Sequence, residues 1–147
     1  MKKILILTIL MVLFVSMVFA QSETFTSSGS GNDSDPVVVS ITTTGLPAGA
    51  TIYDTRITTF MGSYVPSWYT MHLTIGSTTH NEVGNLTDAS YTDLNGLAPN
   101  GHMITITSEN TDGYSDSITM NLSVTIHYVL PGAPGAPSNP SPANAAV

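Results

Sequence analysis

The chain has 147 residues, a formal net charge of −7 and no cysteine. Its two lysines, Lys2 and Lys3, lie at the extreme N-terminus, so the remainder carries one cation, Arg56, against ten acids. That balance excludes nucleic acid as a partner, because phosphate binding needs clustered Lys and Arg, and it argues against anionic membrane surfaces. Without cysteine there is no thiol nucleophile, no lipidated N-terminal cysteine and no disulfide framework, so stability has to come from a core.

Residues 1–20 stand apart. Lys2 and Lys3 precede an apolar run from Ile4 to Phe19, broken by Thr8 and Ser16, which closes on small residues at Val18 and Ala20. This is the pattern of a secretory signal peptide, with cleavage expected between Ala20 and Gln21. A membrane anchor would need about 20 apolar residues, and no basic stop-transfer cluster follows. The sequence therefore predicts a secreted or cell-surface protein with no stable membrane span after signal removal.

From residue 21 to residue 130, Thr and Ser dominate and period-two alternation recurs, the mark of half-buried strands. "TFTSS" (24–28) suggests a short edge strand. In "VVVSIT" (37–42), Val37, Val39 and Ile41 share a face. "TIYDTRITTF" (51–60) alternates less cleanly, with Thr55, Ile57 and Thr59 opposed to Arg56, Thr58 and Phe60. In "SWYTMHLTIG" (67–76), Tyr69, Met71, Leu73 and Ile75 point inward, and Trp68, Thr70, His72 and Thr74 outward. Residues 76–94 are irregular and predict a long loop with one short strand. "HMITIT" (102–107) puts Ile104 and Ile106 together, with Met103 on the other face. "SITMNLSVTIHY" (117–128) alternates throughout, with Ile118, Met120, Leu122, Val124, Ile126 and Tyr128 on the core side. Gly, Pro, Asn and Asp supply the turns at 44–50, 95–101 and 109–116. These elements predict an all-β chain, an antiparallel β-sandwich of jelly-roll or Ig-like type.

Residues 131–147 differ. Five of the nine prolines lie there, among Gly, Ala, Ser and Asn. Such a stretch favours extended, solvated conformations and cannot bury a core. It predicts a linker leaving a finished domain, with a downstream domain or a surface protein as partner.

The stretch "YTDLNGLAPNGHMITITSENTDGYSDSITMNLSVTIHY" resembles the C-terminal half of the P-domain (proprotein convertase P, or Homo B, domain). Leu94, Gly96, Pro99, Asn100 and Gly101 stand at that family's hydrophobic, Gly and Pro-Asn-Gly positions. "TTGLPAGATIYDTRIT" resembles its early segment, with Ile52 and Asp54 matching. His102 and Met103 replace the Trp usual after Asn-Gly, and His72 stands where an acid usually precedes the middle-strand Leu. The resemblance implies a jelly-roll module without catalytic residues, accessory to a subtilisin-like protease or part of a secreted multidomain protein. The tail resembles spacers before Ig-like or fibronectin-type repeats of bacterial surface proteins.

No catalytic set emerges. There is no G-x-S-x-G elbow beside His72, His80, His102 or His127, and most acids sit in turns. A calcium site is the better metal candidate. Asn110, Asp112 and Asp116 surround Gly113 in a loop of hard oxygen donors, although an EF-hand register fails for want of a Glu at its last position. Asp33 and Asp35 are a weaker pair. The alternative for both is an Asx-type turn. For glycan binding, Trp68 on the outward face, Tyr64 and Tyr69 beside it, and Tyr91 and Tyr114 in loops offer aromatic surfaces. The alternative is that Trp68 packs under the 76–94 loop or against a neighbouring domain. Sequons begin at Asn32, Asn85 and Asn121.

These readings amount to a non-catalytic structural, adhesive or accessory module, with a carbohydrate-binding role as the alternative. Signal removal predicts a mature mass of roughly 13 kDa. Intact-mass spectrometry of the native secreted product should give that value for a free-standing domain. A much larger mass would make residues 21–147 the first module of a longer protein.

Overall fold

A computed structural model describes residues 20–32, 36–62, 69–110 and 117–131. The expected signal segment before Ala20 and the tail after Pro131 lie outside the described residues.

The described chain is all-β, with eight strands and two antiparallel sheets. They are β1 (Ala20–Asn32), β2 (Val38–Thr42), β3 (Thr51–Gly62), β4 (Tyr69–Ile75), β5 (Thr78–Val83), β6 (Ala89–Tyr91), β7 (Met103–Asn110) and β8 (Ser117–Val129). One sheet has the order β1-β8-β3-β6 and the other β2-β7-β4-β5. First pairs with last, second with seventh, third with sixth and fourth with fifth. The contacts β3–β8 and β4–β7 then join these ribbons into two sheets.

The sheets face each other over one core. Val39 and Ile41 from β2, Met71, Leu73 and Ile75 from β4, and Ile104 and Ile106 from β7 meet Ile52, Ile57 and Met61 from β3 and the inner face of β8. Every second residue of β8 from Ile118 to Tyr128 is buried, as the alternation predicted. Each large aliphatic side chain buried this way contributes about 1.5–3 kcal/mol.

Strand β3 explains its own irregular pattern. Its register against β8 shifts between Ile52 and Asp54. The extra residue changes the phase, so Ile52 and Thr55 both face inward although three positions separate them.

Two expectations are corrected. The N-terminal edge strand is not short, since β1 has 13 residues and follows β8 along its whole length. Its inner face is nearly featureless after Phe25, with Ser27, Gly29 and Gly31, so period-two hydrophobicity could not reveal it. Those glycines let β2 come close. A Cβ on Gly29 would stand 3.0 Å from the Val39 side chain, and one on Gly31 would stand 2.9 Å from that of Val37. The second correction is residues 76–94, which hold two strands, β5 and β6, rather than a loop with one. A tight turn at Gly76, in the left-handed region at φ 61°, joins β4 to β5. The inner face of β5 carries Thr78, His80 and Glu82 and its outer face Thr79, Asn81 and the exposed Val83, so hydrophobicity does not mark the side that faces in.

Loops 43–52 and 96–102 are laced together. The Asn100 side chain accepts from the Leu46 amide at 2.9 Å and donates to the Leu46 carbonyl at 2.8 Å. Gly101 N–H donates to the Thr43 carbonyl, and Gly96 N–H to that of Ile52.

Thr55 is the exception in the core. Its hydroxyl is buried with no hydrogen-bond partner among the described residues. An unpaired buried hydroxyl costs about 1–3 kcal/mol. Thr55→Val should therefore leave stability unchanged or raise it by about 1 kcal/mol, whereas Leu122→Ala should lower it by about 2–5 kcal/mol. Chemical denaturation of both variants checks this; a loss above about 1 kcal/mol in Thr55→Val would mean the hydroxyl has a partner.

Candidate functional site

The outer face of the β1-β8-β3-β6 sheet is the most distinctive surface. Alternation sets its chemistry. β1 turns Ser22, Thr24, Thr26, Ser28 and Ser30 outward, and β8 turns out Thr119, Asn121, Ser123, Thr125 and His127. Register places them in rows across the sheet, so Thr24 stands beside Thr125, with their hydroxyls 2.8 Å apart. Ser123 stands between Thr26 on β1 and Thr58 on β3, and Asn121 between Ser28 on β1 and Phe60 on β3. Thus one row of hydroxyl and amide groups ends in an aromatic ring.

Phe60 is 57% exposed. Its ring reaches along β3 over Gly62, where a Cβ would lie 3.5 Å from the ring edge. On the β1 side of Asn121, Thr26, Ser27, Ser28 and Asn121 line an open depression of about 380 Å³, which Phe60 does not line.

The same face contains Arg56, and its charge is already taken. Its Nε donates to Asp54 at 2.6 Å and its terminal nitrogen to Asp88 at 3.3 Å. Ser90 donates to the other Asp54 oxygen at 2.6 Å. Burial pushes the Asp54 carboxyl up, but the Ser90 hydroxyl and the Arg56 guanidinium outweigh it and hold it below the usual carboxylate range. Asp88 sits in the left-handed region at φ 49°, which Asp tolerates better than most residues. The surface around Phe60 is thus polar with its central cation neutralised.

Two further clusters lie on the other sheet. On its outer face, His72 bonds Asn81 through Nδ1 at 2.7 Å and Glu109 through Nε2 at 2.8 Å. The bonds to Glu109 and Asn81 raise the His72 pKa above its ordinary value, against a small opposing effect of burial. On its inner face, at the open side of the sandwich, His80 bonds Asp93 at 3.1 Å and packs edge-on against Tyr91. Tyr91 donates to Glu82 at 3.0 Å. Burial and the Glu82 carboxylate push the Tyr91 phenol well above its usual value, so it stays protonated. This cluster ties β5 to β6 and to the turn after it. Among the described residues no group of three or more His, Asp or Glu could hold a metal ion.

The residues predicted from sequence fall as follows. Tyr91 is not in a loop but in β6, only 9% exposed, with its ring engaged by His80, so it offers no stacking surface. Trp68, Tyr64 and Tyr114 lie outside the described residues, as do Asp112 and Asp116 of the calcium loop and the pair Asp33 and Asp35. Tyr69 and Asn110 oppose each other in the β4–β7 ladder, with their side chains outside the description. Ala20 and Gln21 begin β1, and Gln21 accepts a bond from the Tyr128 hydroxyl at 3.1 Å. Cleavage between them would remove only the first residue of that strand. Among the described residues no helix is long and apolar enough to cross a membrane. Phe60 was not singled out from the sequence, although its outward phase between Thr58 and Gly62 marked it as exposed.

No protein-family model and no curated protein matches this chain. Among solved structures, the crystal structure of FlhE is similar, with a TM-score of 0.53 and 10% identity, covering 74% of this chain and 97% of that one. At that identity the likeness concerns the fold alone. A cyanophage Pam1 capsid structure aligns with a TM-score of 0.30 and 16% identity over 75% of this chain and 86% of that chain, too loose for argument.

The raised His72 value fixes the direction of a pH effect. Its bond to Glu109 contributes fully below the unfolded value of 6.5, and that contribution fades as pH rises through the higher folded value. The melting-temperature advantage of the wild type over His72→Gln should therefore be present at about pH 5 and shrink by about pH 8.5. Thermal melts across that range test it; a constant difference would mean that His72 protonation is not linked to folding.

Proposed function

We propose that this chain is a non-catalytic, secreted or cell-surface module of jelly-roll type. Its outer β1-β8-β3 face binds an uncharged polyhydroxylated ligand, a glycan. The successive pairing of outer with inner strands supports the jelly roll, the form in which an antiparallel ribbon of four strand pairs wraps into two sheets. Secretion rests on the signal-like N-terminus.

The observation that carries the ligand reading is Phe60, an exposed ring at the end of a row with Asn121 and Ser28, two residues that also line an open depression. A pyranose offers an apolar face of C–H groups and a rim of hydroxyls. The ring would cover the first, as aromatic side chains do for flat apolar surfaces. The Asn121 amide and the Ser and Thr hydroxyls can donate to and accept from the second. A charged ligand gains little here, because Asp54 and Asp88 already occupy Arg56.

A second reading is the P-domain, accessory to a subtilisin-like protease. It rests on the sequence resemblance alone, at Leu94, Gly96, Pro99, Asn100 and Gly101 and at Ile52 and Asp54. A protease domain encoded on the same chain or beside it would support that reading, and its absence would remove it.

Glycan-array screening of the wild type, followed by titration of the best ligand against Phe60→Ala, tests the first reading. Affinity should fall at least about tenfold, or ~1.4 kcal/mol, with the melting temperature unchanged because the ring is exposed. An array without hits, or an unaltered affinity in Phe60→Ala, would sink it.

A further inference from the structure

Sheet edges present unpaired N–H and C=O groups, and proteins usually blunt them with short strands, charges, proline or a covering element. Three of the four edges here are treated that way. β6 has three residues. β2 has five and lies against the glycine face of β1. β5 has six, including Glu82 and His80, which are tied to Tyr91 and Asp93. The fourth edge, β1, is different. It runs for 13 residues, contains one charge, Glu23, and has neither lysine nor proline. Among the described residues no strand is laddered to its outer side from Ala20 to Gly31.

We propose that the free edge of β1 pairs antiparallel with β1 of a second copy of this chain, joining two four-stranded sheets into one of eight. The sequence of β1 is self-complementary under a two-fold axis, as an isologous contact requires. With the axis at Thr26, the middle of the strand, Thr26 faces itself, Thr24 faces Ser28 and Ser22 faces Ser30. All of these are small hydroxyl residues on the outer face, as the rows within the sheet already are. Glu23 falls opposite Gly29, so the two carboxylates stand six positions apart, about 20 Å along the strand. That exceeds a Debye length of about 8 Å at physiological salt, so they do not oppose the pairing there. A partner with a bulkier or more charged strand gains nothing from this edge that a second copy lacks.

Pairing would also bring together the two depressions lined by Thr26, Ser27, Ser28 and Asn121, since these residues surround the axis. The hydroxyl rows would then continue from β3 of one copy to β3 of the other. Both copies are acidic overall, so salt should favour association by screening their repulsion.

The absence of cysteine makes the test clean. Single cysteines are placed in the full chain at the outward β1 positions, S22C, T24C, T26C, S28C and S30C, with T58C on the interior strand β3 as control. Directly opposed residues of paired strands have Cβ atoms about 4.5–5.5 Å apart, close enough for oxidation or a short bis-maleimide to join them. Covalent dimer should form at least tenfold faster for T26C than for T58C, and faster at 0.5 M NaCl than at low salt. Light scattering of the wild type should show dimer at high protein concentration. A maximum at another β1 position would still establish edge pairing and would report its register. Equal rates for β1 and control cysteines, with a monomeric wild type, would overturn the proposal.

Discussion

The two sheets depend on strand β8, which is hydrogen-bonded on both flanks, to β1 from Asn32 back to Ala20 and to β3 from Thr51 to Gly62. Its inner face, Ile118 to Tyr128, lies across the middle of the core. Without it, β1 and β3 have no common partner and one wall of the sandwich is missing. The Thr24–Thr125 contact spans 101 positions of sequence. Such distant pairing carries a loop-closure cost before any contact forms, so assembly of this sheet belongs to the slow, millisecond-to-second class of β-proteins. The buried core between the sheets is mostly aliphatic, and among the described residues only Thr55 leaves a buried hydroxyl without a partner.

What the sequence revealed follows from where the apolar side chains are. β8, β2, β4 and β7 alternate between aliphatic and polar residues, and each is legible in the chain because one of its faces enters the core. β3 is half legible: Ile57, Thr59 and Phe60 fall in the expected phases, while the bulge after Ile52 breaks the count upstream. β1 and β5 are illegible for a different reason. Their inner positions are Ser27, Gly29 and Gly31, or Thr78, His80 and Glu82, so alternation exists in space without appearing in hydrophobicity. They are strands because β8 and β4 offer them a ladder, a tertiary effect that overrides local propensity.

The candidate site was less legible than the fold. Aromatic content drew attention to Trp68 and the tyrosines, but Tyr91 packs inside against His80 and Glu82. Burial could not be inferred for it, because a polar inner face on β5 is needed to receive its hydroxyl. Phe60 is the converse case. Its phase marked it as outward, yet an exposed phenylalanine has meaning only beside its neighbour across the sheet, Asn121, and the Ser28 beyond it, and that register is set by the bulge and by β8. Arg56 likewise looks like a free cation in sequence. In the fold, Asp54 is two positions away on the same strand and Asp88 sits on the adjoining loop, and together they remove the charge from the face.

The small residues of β1 link closure of the sandwich to exposure of its edge. Val37 and Val39 come within about 3 Å of where Cβ atoms on Gly31 and Gly29 would be, so larger side chains there would push the two sheets apart. The need for small residues on the inner face leaves β1 without the inward-pointing charge by which many edge strands protect themselves. On the outer face, hydroxyls continue the rows of β8, which removes the other usual place for a lysine. The strand that closes one side of the sandwich is therefore also the strand least able to refuse a partner. A module that binds a repeating polymer gains from this, because two linked faces engage it with a higher effective concentration than one.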